Sequence, residues 1–429
     1  MDIKAGLAHR SSRPGRPGSQ HDDDANVESA AEVDHPLKGQ FEFAIAASLD
    51  DLEACFTLLH NAYVASGFMA PHPSGIRVTP HHALPTTTTL CAKVDGKVVG
   101  TLSLVREGVF GLPMQSVFDI GSVRSRPGQI TEISSLAVHP DWRRKAYSIL
   151  IPLMKFMHDY CLRQFDTRHL VIAVNPAHIN MYESVMVFRR LTEHSVDRYD
   201  FVNGAPAVGA TLDLHELPEL YERVHGHRRG RQNLIQFFLH SELVEARFPA
   251  RPWNTTNDPV MTPRLLDHFF NRRTQVFDEL DERRIRLLHS IYFEAEWAEI
   301  LPALPLSFSA VHPLRREPRY SMNCPGVLRL AGALDPDVFA VVVIDVSRHG
   351  CQALTVGPLE LGSTGTLRVE LGSGVISLVG ATVVRQSGSH LGMKYSFRIE
   401  QPDANWERFV NWLPGVHVEA AFPPATSTA

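Results

Sequence analysis

Glu132-Ile133-Ser134-Ser135-Leu136-Ala137-Val138-His139-Pro140-Asp141-Trp142-Arg143-Arg144-Lys145-Ala146-Tyr147-Ser148 reads as a strand that ends in Val-x-Pro-x-x-Arg and runs straight into a helix. The strand extends over Gln129 to Val138, and Ala146 to Arg163 carries apolar residues at helical spacing. A helix N-terminus offers free N–H groups and a positive dipole, so this turn suits a pyrophosphate or phosphopantetheine. Working outward, His169 to Val174 reads as a buried strand. Asn175-Pro176-Ala177-His178 then opens a helix to about Phe188, with Asn175 as its cap. Strands near Ser195–Val202 and Ala207–Leu214 close the unit. Upstream, Phe41 to Ala46 alternates like a strand, and Ser48 with Asp51 three residues later opens an amphipathic helix through about Ser66. Leu90–Val94 and Val98–Val105 form a hairpin about Asp95-Gly96, with Thr86-Thr87-Thr88-Thr89 leading in. Strands alternating with helices predict an α/β layer structure.

The order of strand, basic turn, helix, strand, Asn-Pro-x-His, Tyr182 and Phe188 resembles the GNAT acyltransferase superfamily over roughly residues 41–215. The resemblance implies that the fourth and fifth strands splay apart and that the acyl thioester lies between them. Three further stretches narrow it: Val99-Gly100-Thr101-Leu102-Ser103, Phe110-Gly111-Leu112-Pro113-Met114, and Glu132-x-Ser134-x-Leu136-Ala137-Val138. Together they look like the long-chain N-acyl amino acid synthases of the FeeM type, GNAT-fold relatives of the acyl-homoserine lactone autoinducer synthases. That implies an acyl-acyl carrier protein or acyl-CoA donor and an amino-acid amine as acceptor. The family loop normally carries glycines, so that backbone N–H groups approach the phosphates. Here the run is Arg143-Arg144-Lys145-Ala146-Tyr147-Ser148, whose side chains narrow the approach and whose cations suit an acidic carrier protein.

Aminolysis of a thioester requires deprotonation of the amine, stabilisation of the oxyanion and departure of the thiolate. Glu132 is the expected general base, since a carboxylate in a sheet cleft has a raised pKa. A backbone N–H near Leu136 to Val138 is the expected oxyanion donor. Tyr182 would protonate the thiolate, and Arg143, Arg144 and Lys145 would hold the phosphopantetheine phosphate or the carrier.

A chain of 429 residues predicts two or three domains. A net charge of -5 argues against nucleic acid as the main partner. Five scattered cysteines without Cys-x-x-Cys spacing suit a reducing compartment and suggest neither a disulfide framework nor a zinc ribbon. The N-terminus lacks the apolar core of a signal peptide, and no apolar run approaches the ~20 residues of a membrane span. A cytoplasmic location is expected, with peripheral attachment to the inner membrane compatible with it. Residues 1–40, rich in Gly, Pro, Ser and Asp, read as a disordered leader. After the unit at 41–216, residues 217–310 read as a helical extension and Pro-rich linker, followed by short strands over 311–412 and a flexible tail at 413–429.

Within the last folded segment, Arg315-Arg316-Glu317-Pro318-Arg319 precedes Asp345-Val346-Ser347-Arg348-His349-Gly350, placed at the mouth of a strand after Ala340 to Ile344. Arginine forks bind phosphate bidentately and stack on bases, and an Asp beside a Ser reads a guanine edge. The pair R-x-x-x-R and D-x-S-x-x-G resembles the PilZ domain, which implies a six-stranded-type β-barrel and cyclic di-GMP as ligand. By that resemblance Arg315 and Arg319 clamp phosphates and stack on guanine, Arg316 assists, Asp345 and Ser347 read the base, and Gly350 lets the backbone turn sharply. The whole is expected to be a GNAT-like α/β acyltransferase with a helical extension and a regulatory PilZ barrel. The rivals are a non-catalytic cyclic di-GMP effector and an acetyl-CoA-dependent acetyltransferase. His72, His81 and His82 read as a surface loop rather than metal ligands. Arg223, His225, His227, Arg228, Arg229 and Arg231 read as a solvated basic turn.

Overall fold

Ser48 caps the first long helix as its neighbours require: its side chain accepts the Asp51 N–H at 3.1 Å. A computed structural model describes residues 41–226, 234–258, 260–292, 295–304, 319–331, 337–389 and 392–412. The elements of the first unit are β1 (Phe41–Ile45), α1 (Leu49–Ala65), β2 (Thr87–Val94), β3 (Lys97–Arg106), β4 (Gln129–Val138), α2 (Ala146–Arg163), β5 (Thr167–Val174), α3 (Ile179–Ser184), β6 (Arg189–Arg190), β7 (Val196–Tyr199) and β8 (Ala205–Asp213). They build one sheet in the order β1-β2-β3-β4-β5-β8-β6, with β7 on β8. Only β4 and β5 run parallel, because α2 is the one long crossover between neighbouring strands.

The two faces of the sheet can be told apart residue by residue. Gly100 on β3 faces α2, since a Cβ there would lie 2.9 Å from Ile149. Alternation sends Thr101, Ser103 and Val105 to the opposite face, which α1 and the loops at 68–86 and 110–124 cover. Phe156, Tyr160 and Phe248 pack together on the α2 side. All five cysteines are buried as free thiols.

The region expected to be a helical extension carries α4 (Leu217–His225), α5 (Pro263–Asp267) and α6 (Glu282–His289), with π-helical turns at Gln236–His240 and His268–Arg273. Phe238, Leu266, Phe269 and Phe270 bury themselves against the first unit and join its core. His225 is fully buried beneath Tyr221, so the basic-turn expectation fails there. Arg223 is exposed, and the rest of that cluster lies outside the described residues. His81 and His82 correct a second expectation. They sit in a buried 3-10 turn, not a surface loop, while His72 is exposed.

The last unit is a closed six-stranded antiparallel barrel of β9 (Tyr320–Leu330), β10 (Val338–Ser347), β11 (Gly350–Thr355), β12 (Thr364–Gly372), β13 (Val375–Ser389) and β14 (Gly392–Gln401), followed by α7 (Ala404–Trp412). Closure removes free strand edges. Helix α7 plugs the barrel with Trp406 and Phe409, both fully buried.

A strap at 251–258 ties the two units together. Asn254 N–H donates to the Leu371 carbonyl (2.8 Å) and Thr256 N–H to Ser321 (3.0 Å), while Asn323 N–H returns to Asn254 (3.0 Å). Trp253 inserts beside Phe409, ring centroids 5.1 Å apart. Gly372, at φ +142°, has to be glycine, because a Cβ would lie 2.6 Å from Trp253 Cα. On the other side Arg106 donates to the Thr256 carbonyl (2.8 Å). Asp258 accepts from Thr88 and Tyr160 (2.6 Å each) and pairs with Arg251. Among the described residues no helix is long and apolar enough to cross a membrane.

Candidate active site

β4 pairs with β5 from Gln129↔Thr167 as far as Ile133↔Ile172 and no further. Beyond that point β4 stays with β3 to Val138↔Gly100, and β5 stays with β8 to Val174↔Val208. The two strands therefore part, and the alternate backbone groups of residues 134–138 that face β5 have no strand partner among the described residues. Ser135, at φ 57°, is the extra residue of a β-bulge, since Ser134 and Ala137 oppose Ser103 and Thr101. A bulge of this kind bends its strand, which holds the gap open.

Glu132 lies on the α1 face, across from Val105 and one residue before the strands part. It is 2% exposed, and its Oε2 accepts the Met114 N–H at 2.9 Å. Burial raises its pKa from 4.5 to about 8, against the opposing pull of the Met114 hydrogen bond. Gly111-Leu112-Pro113-Met114 and Glu132, read as separate signals in the sequence, are thus one device: the 3-10 turn at Pro113–Ser116 brings an N–H to the carboxyl.

Tyr182 is 4% exposed, packs edge-on against Phe188 (5.9 Å) and has its pKa raised by burial, so its phenol is protonated at neutral pH. Leu136 and Val138 are half-buried against the core. Arg143, Arg144 and Lys145 fall in the 3-10 turn Pro140–Lys145, and their side chains lie outside the described residues. Asn175 caps the next turn, accepting the Ala177 N–H at 3.0 Å.

His82 and Ser103 invite a nucleophile reading that the hydrogen bonds contradict. Thr79 N–H donates to His82 Nδ1 (3.0 Å), so the proton sits on Nε2 and is given to Ser103 Oγ (3.1 Å). Burial holds the pKa of His82 near 3, and that ring is a neutral donor, not a base.

In the barrel, β10 runs through Asp345 to Ser347, with a bulge between Val343 and Asp345, where the sequence suggested that the strand ended at Ile344. The bulge re-aims Asp345 so that it accepts from Arg319 Nη1 at 3.3 Å. Ser347 Oγ donates to the Gly350 carbonyl (3.3 Å). Gly350 sits at a close approach rather than in a left-handed turn, since a Cβ there would lie 3.0 Å from the Phe397 carbonyl. Arg315 and Arg316 lie outside the described residues. Asp345 also lines a cavity of about 140 Å³ between the units, with Arg106, Gln129, Asp166 and Thr256 from one side and Gln352 and Lys394 from the other.

Residues 54–213 match the N-acyl amino acid synthase FeeM family, and residues 313–413 match the PilZ domain. The chain joins an N-acyl amino acid synthase domain to a PilZ domain. Similar solved structures include FeeM, an N-acyl amino acid synthase from uncultured soil microbes (22% identity, 42% of this chain and 94% of that chain, TM-score 0.36). Another is the CoA-dependent acyl-homoserine lactone synthase BjaI with SAM and isopentyl-CoA (22% identity, 44% and 90%, TM-score 0.34). A third is the PilZ domain of YcgR from Escherichia coli with c-di-GMP (19% identity, 25% and 95%, TM-score 0.20). No curated protein matches the chain.

The region matching the N-acyl amino acid synthase family is the mixed sheet with its flanking helices, and the region matching the PilZ domain is the six-stranded barrel. Around Glu132 the synthase domain gathers residues that the sequence did not single out: Tyr63 from α1, Arg77, and Tyr199 at the end of β7. Glu132 acts electrostatically on the hydroxyls of both tyrosines, as does Arg77. No periodicity marks them, because they arrive from three separate segments and meet only in the folded sheet. Among the described residues no cluster of three His, Cys, Asp or Glu is placed to hold a metal ion.

Proposed function

We propose that this N-acyltransferase moves a long-chain acyl group from acyl carrier protein to the amine of an amino acid, under control of cyclic di-GMP. The observation that carries the reading is a buried carboxyl, Glu132, one residue before β4 and β5 part. The thioester lies in the gap with its carbonyl oxygen toward the unpaired N–H groups of residues 134–138. Glu132, in its ionised form, takes a proton from the acceptor ammonium. The amine nitrogen bonds to the carbonyl carbon, and the negative charge on the oxygen is held by those N–H groups. Collapse breaks the C–S bond, and Tyr182 gives its proton to the departing thiolate. The second proton lost by the nitrogen passes through water to the Tyr182 phenolate and restores its hydroxyl, the amide and the free carrier thiol leave, and the proton on Glu132 is released to water. Arg143, Arg144 and Lys145 fit the phosphopantetheine phosphate and an acidic carrier surface.

Regulation is supported by the position of Asp345. The carboxylate expected to read guanine is paired with Arg319 and faces the synthase domain across the shared cavity. A nucleotide that takes Arg319 and Asp345 from each other alters that contact. Gln129 lines the same cavity and lies on β4 three residues before Glu132, about 10 Å along the strand.

The test is Glu132→Gln with a purified carrier-linked acyl donor: amide formation falls at least about 100-fold if Glu132 is the base. Undiminished amide formation would remove it from the mechanism. Mass spectrometry of lipids from an overexpressing host separates the enzyme, which accumulates acylated amino acids, from a non-catalytic effector, which does not. Synthase activity unchanged at saturating cyclic di-GMP would end the regulatory part.

A further inference from the structure

Arg77 is a cation without a counter-ion among the described residues. Its backbone N–H is fixed on the Phe56 carbonyl (3.0 Å), and its guanidinium is held between two rings, 4.6 Å from the centroid of Tyr63 and 5.0 Å from that of Phe201. Nη2 donates to the Phe201 carbonyl at 2.6 Å, and Nη1 reaches Met69 Sδ at 3.9 Å. Nε is buried with no partner among the described residues. No carboxylate among those residues forms an ion pair with it, and the groups that act on it electrostatically are the hydroxyls of Tyr63 and Tyr199. Phe201 in turn stacks on Tyr199 (5.5 Å, 19°), whose hydroxyl is also buried with no partner among the described residues. A mostly buried cation that lacks an anion is costly, unless the anion arrives with a ligand.

The ligand chemistry follows from what lies beside it. Glu132 acts electrostatically on the same two tyrosine hydroxyls, so the carboxyl and the guanidinium lie about the same pair of rings. An α-amino acid carries an amine and a carboxylate on a single carbon. An acceptor whose amine meets Glu132 would present its carboxylate toward the same rings, where a planar fork with free donors fits it. Tyr199 supplies one more hydroxyl donor. We propose that Arg77, held between Tyr63 and Phe201 with Tyr199 beside it, binds the α-carboxylate of the acceptor and makes the synthase choose amino acids over simple amines. This rests on the acyltransferase reading for the identity of the ligand.

The experiment has an activity arm and a binding arm, both on the full chain. In the first, the best acceptor of an amino-acid panel is compared with its decarboxylated amine and its α-carboxamide. The wild type is expected to prefer the acid, and Arg77→Gln to raise KM for the acid about 10- to 100-fold while leaving the amine where it was. Arg77→Lys, which keeps the charge, should recover part of the loss. Equal use of acid and amine by the wild type, or equal loss of both in Arg77→Gln, overturns the proposal and leaves the acyltransferase reading standing. In the second arm, calorimetry follows the amino-acid panel and the matched amines binding to wild type and Arg77→Gln without turnover. Binding of acids alone that is lost in Arg77→Gln supports the proposal even if no amine is acylated, in which case it is the reaction that fails. Acids and amines bound alike by the wild type overturn it without any variant.

Discussion

Replacing Glu132 by Gln should stabilise the protein at the pH where it works, and the size of the gain follows from burial. The folded carboxyl has its pKa raised from 4.5 to about 8. A raised folded-state value means that stability is fully present below pH 4.5. It is lost as the pH climbs through the window to about 8, because the unfolded chain ionises first and the folded chain resists. The loss runs at about 1.4 kcal/mol per pH unit, which reaches about 3 kcal/mol at pH 7. The side chain is 2% exposed, so solvent screening takes little from this figure. Glutamine has nearly the same shape and keeps an oxygen for the Met114 N–H, but it has no charge to resist. Urea melts of wild type and Glu132→Gln between pH 4.5 and 8 should therefore coincide at the acid end and diverge steadily toward the alkaline end. Near pH 7 the variant's Tm should be higher by roughly 5–10 °C. In the same window wild-type acyl transfer should rise with pH toward an inflection near 8, as the base ionises. Stability profiles that stay parallel from pH 5 to 8 would refute the reasoning, since they would mean that the folded carboxyl titrates like an exposed one.

Three further outcomes are expected. Trp253→Ala removes the ring that packs on Phe409 and should destabilise the strap and barrel by about 3–5 kcal/mol, read as an earlier barrel transition in guanidinium unfolding. Asp258→Ala leaves Arg251 buried without its partner and frees the Tyr160 and Thr88 hydroxyls, so about 3–5 kcal/mol should be lost in thermal melts. Gly350→Ala forces a methyl group to within 3.0 Å of the Phe397 carbonyl and should cost about 1–3 kcal/mol of barrel stability. Cyclic di-GMP affinity by calorimetry should fall with it.

Local chemistry determined a good deal by itself. The bounds of β4 and α2 and the Ser48 and Asn175 caps follow from periodicity and side-chain hydrogen bonding, both of which act within a few residues. The motifs at Glu132 and at Asp345–Gly350 were legible because the chemistry they suggest sits in short runs. What the sequence left open arises between segments distant along the chain. Glu132 owes its raised pKa to enclosure by the turn at Pro113–Ser116 and the α1 face. His81, His82 and His225 looked like surface residues because histidine carries no burial signal of its own, and only packing made them core. Arg77, Tyr63 and Tyr199 share no spacing, and the sheet alone brings them to Glu132. The strap was hidden in a proline-broken stretch, since a segment that adds hydrogen bonds to the edge of another unit has no period of its own. Sequence fixes what interacts over one turn or one strand, whereas the tertiary structure decides which distant groups lose water together, and burial, charge and reactivity follow from that.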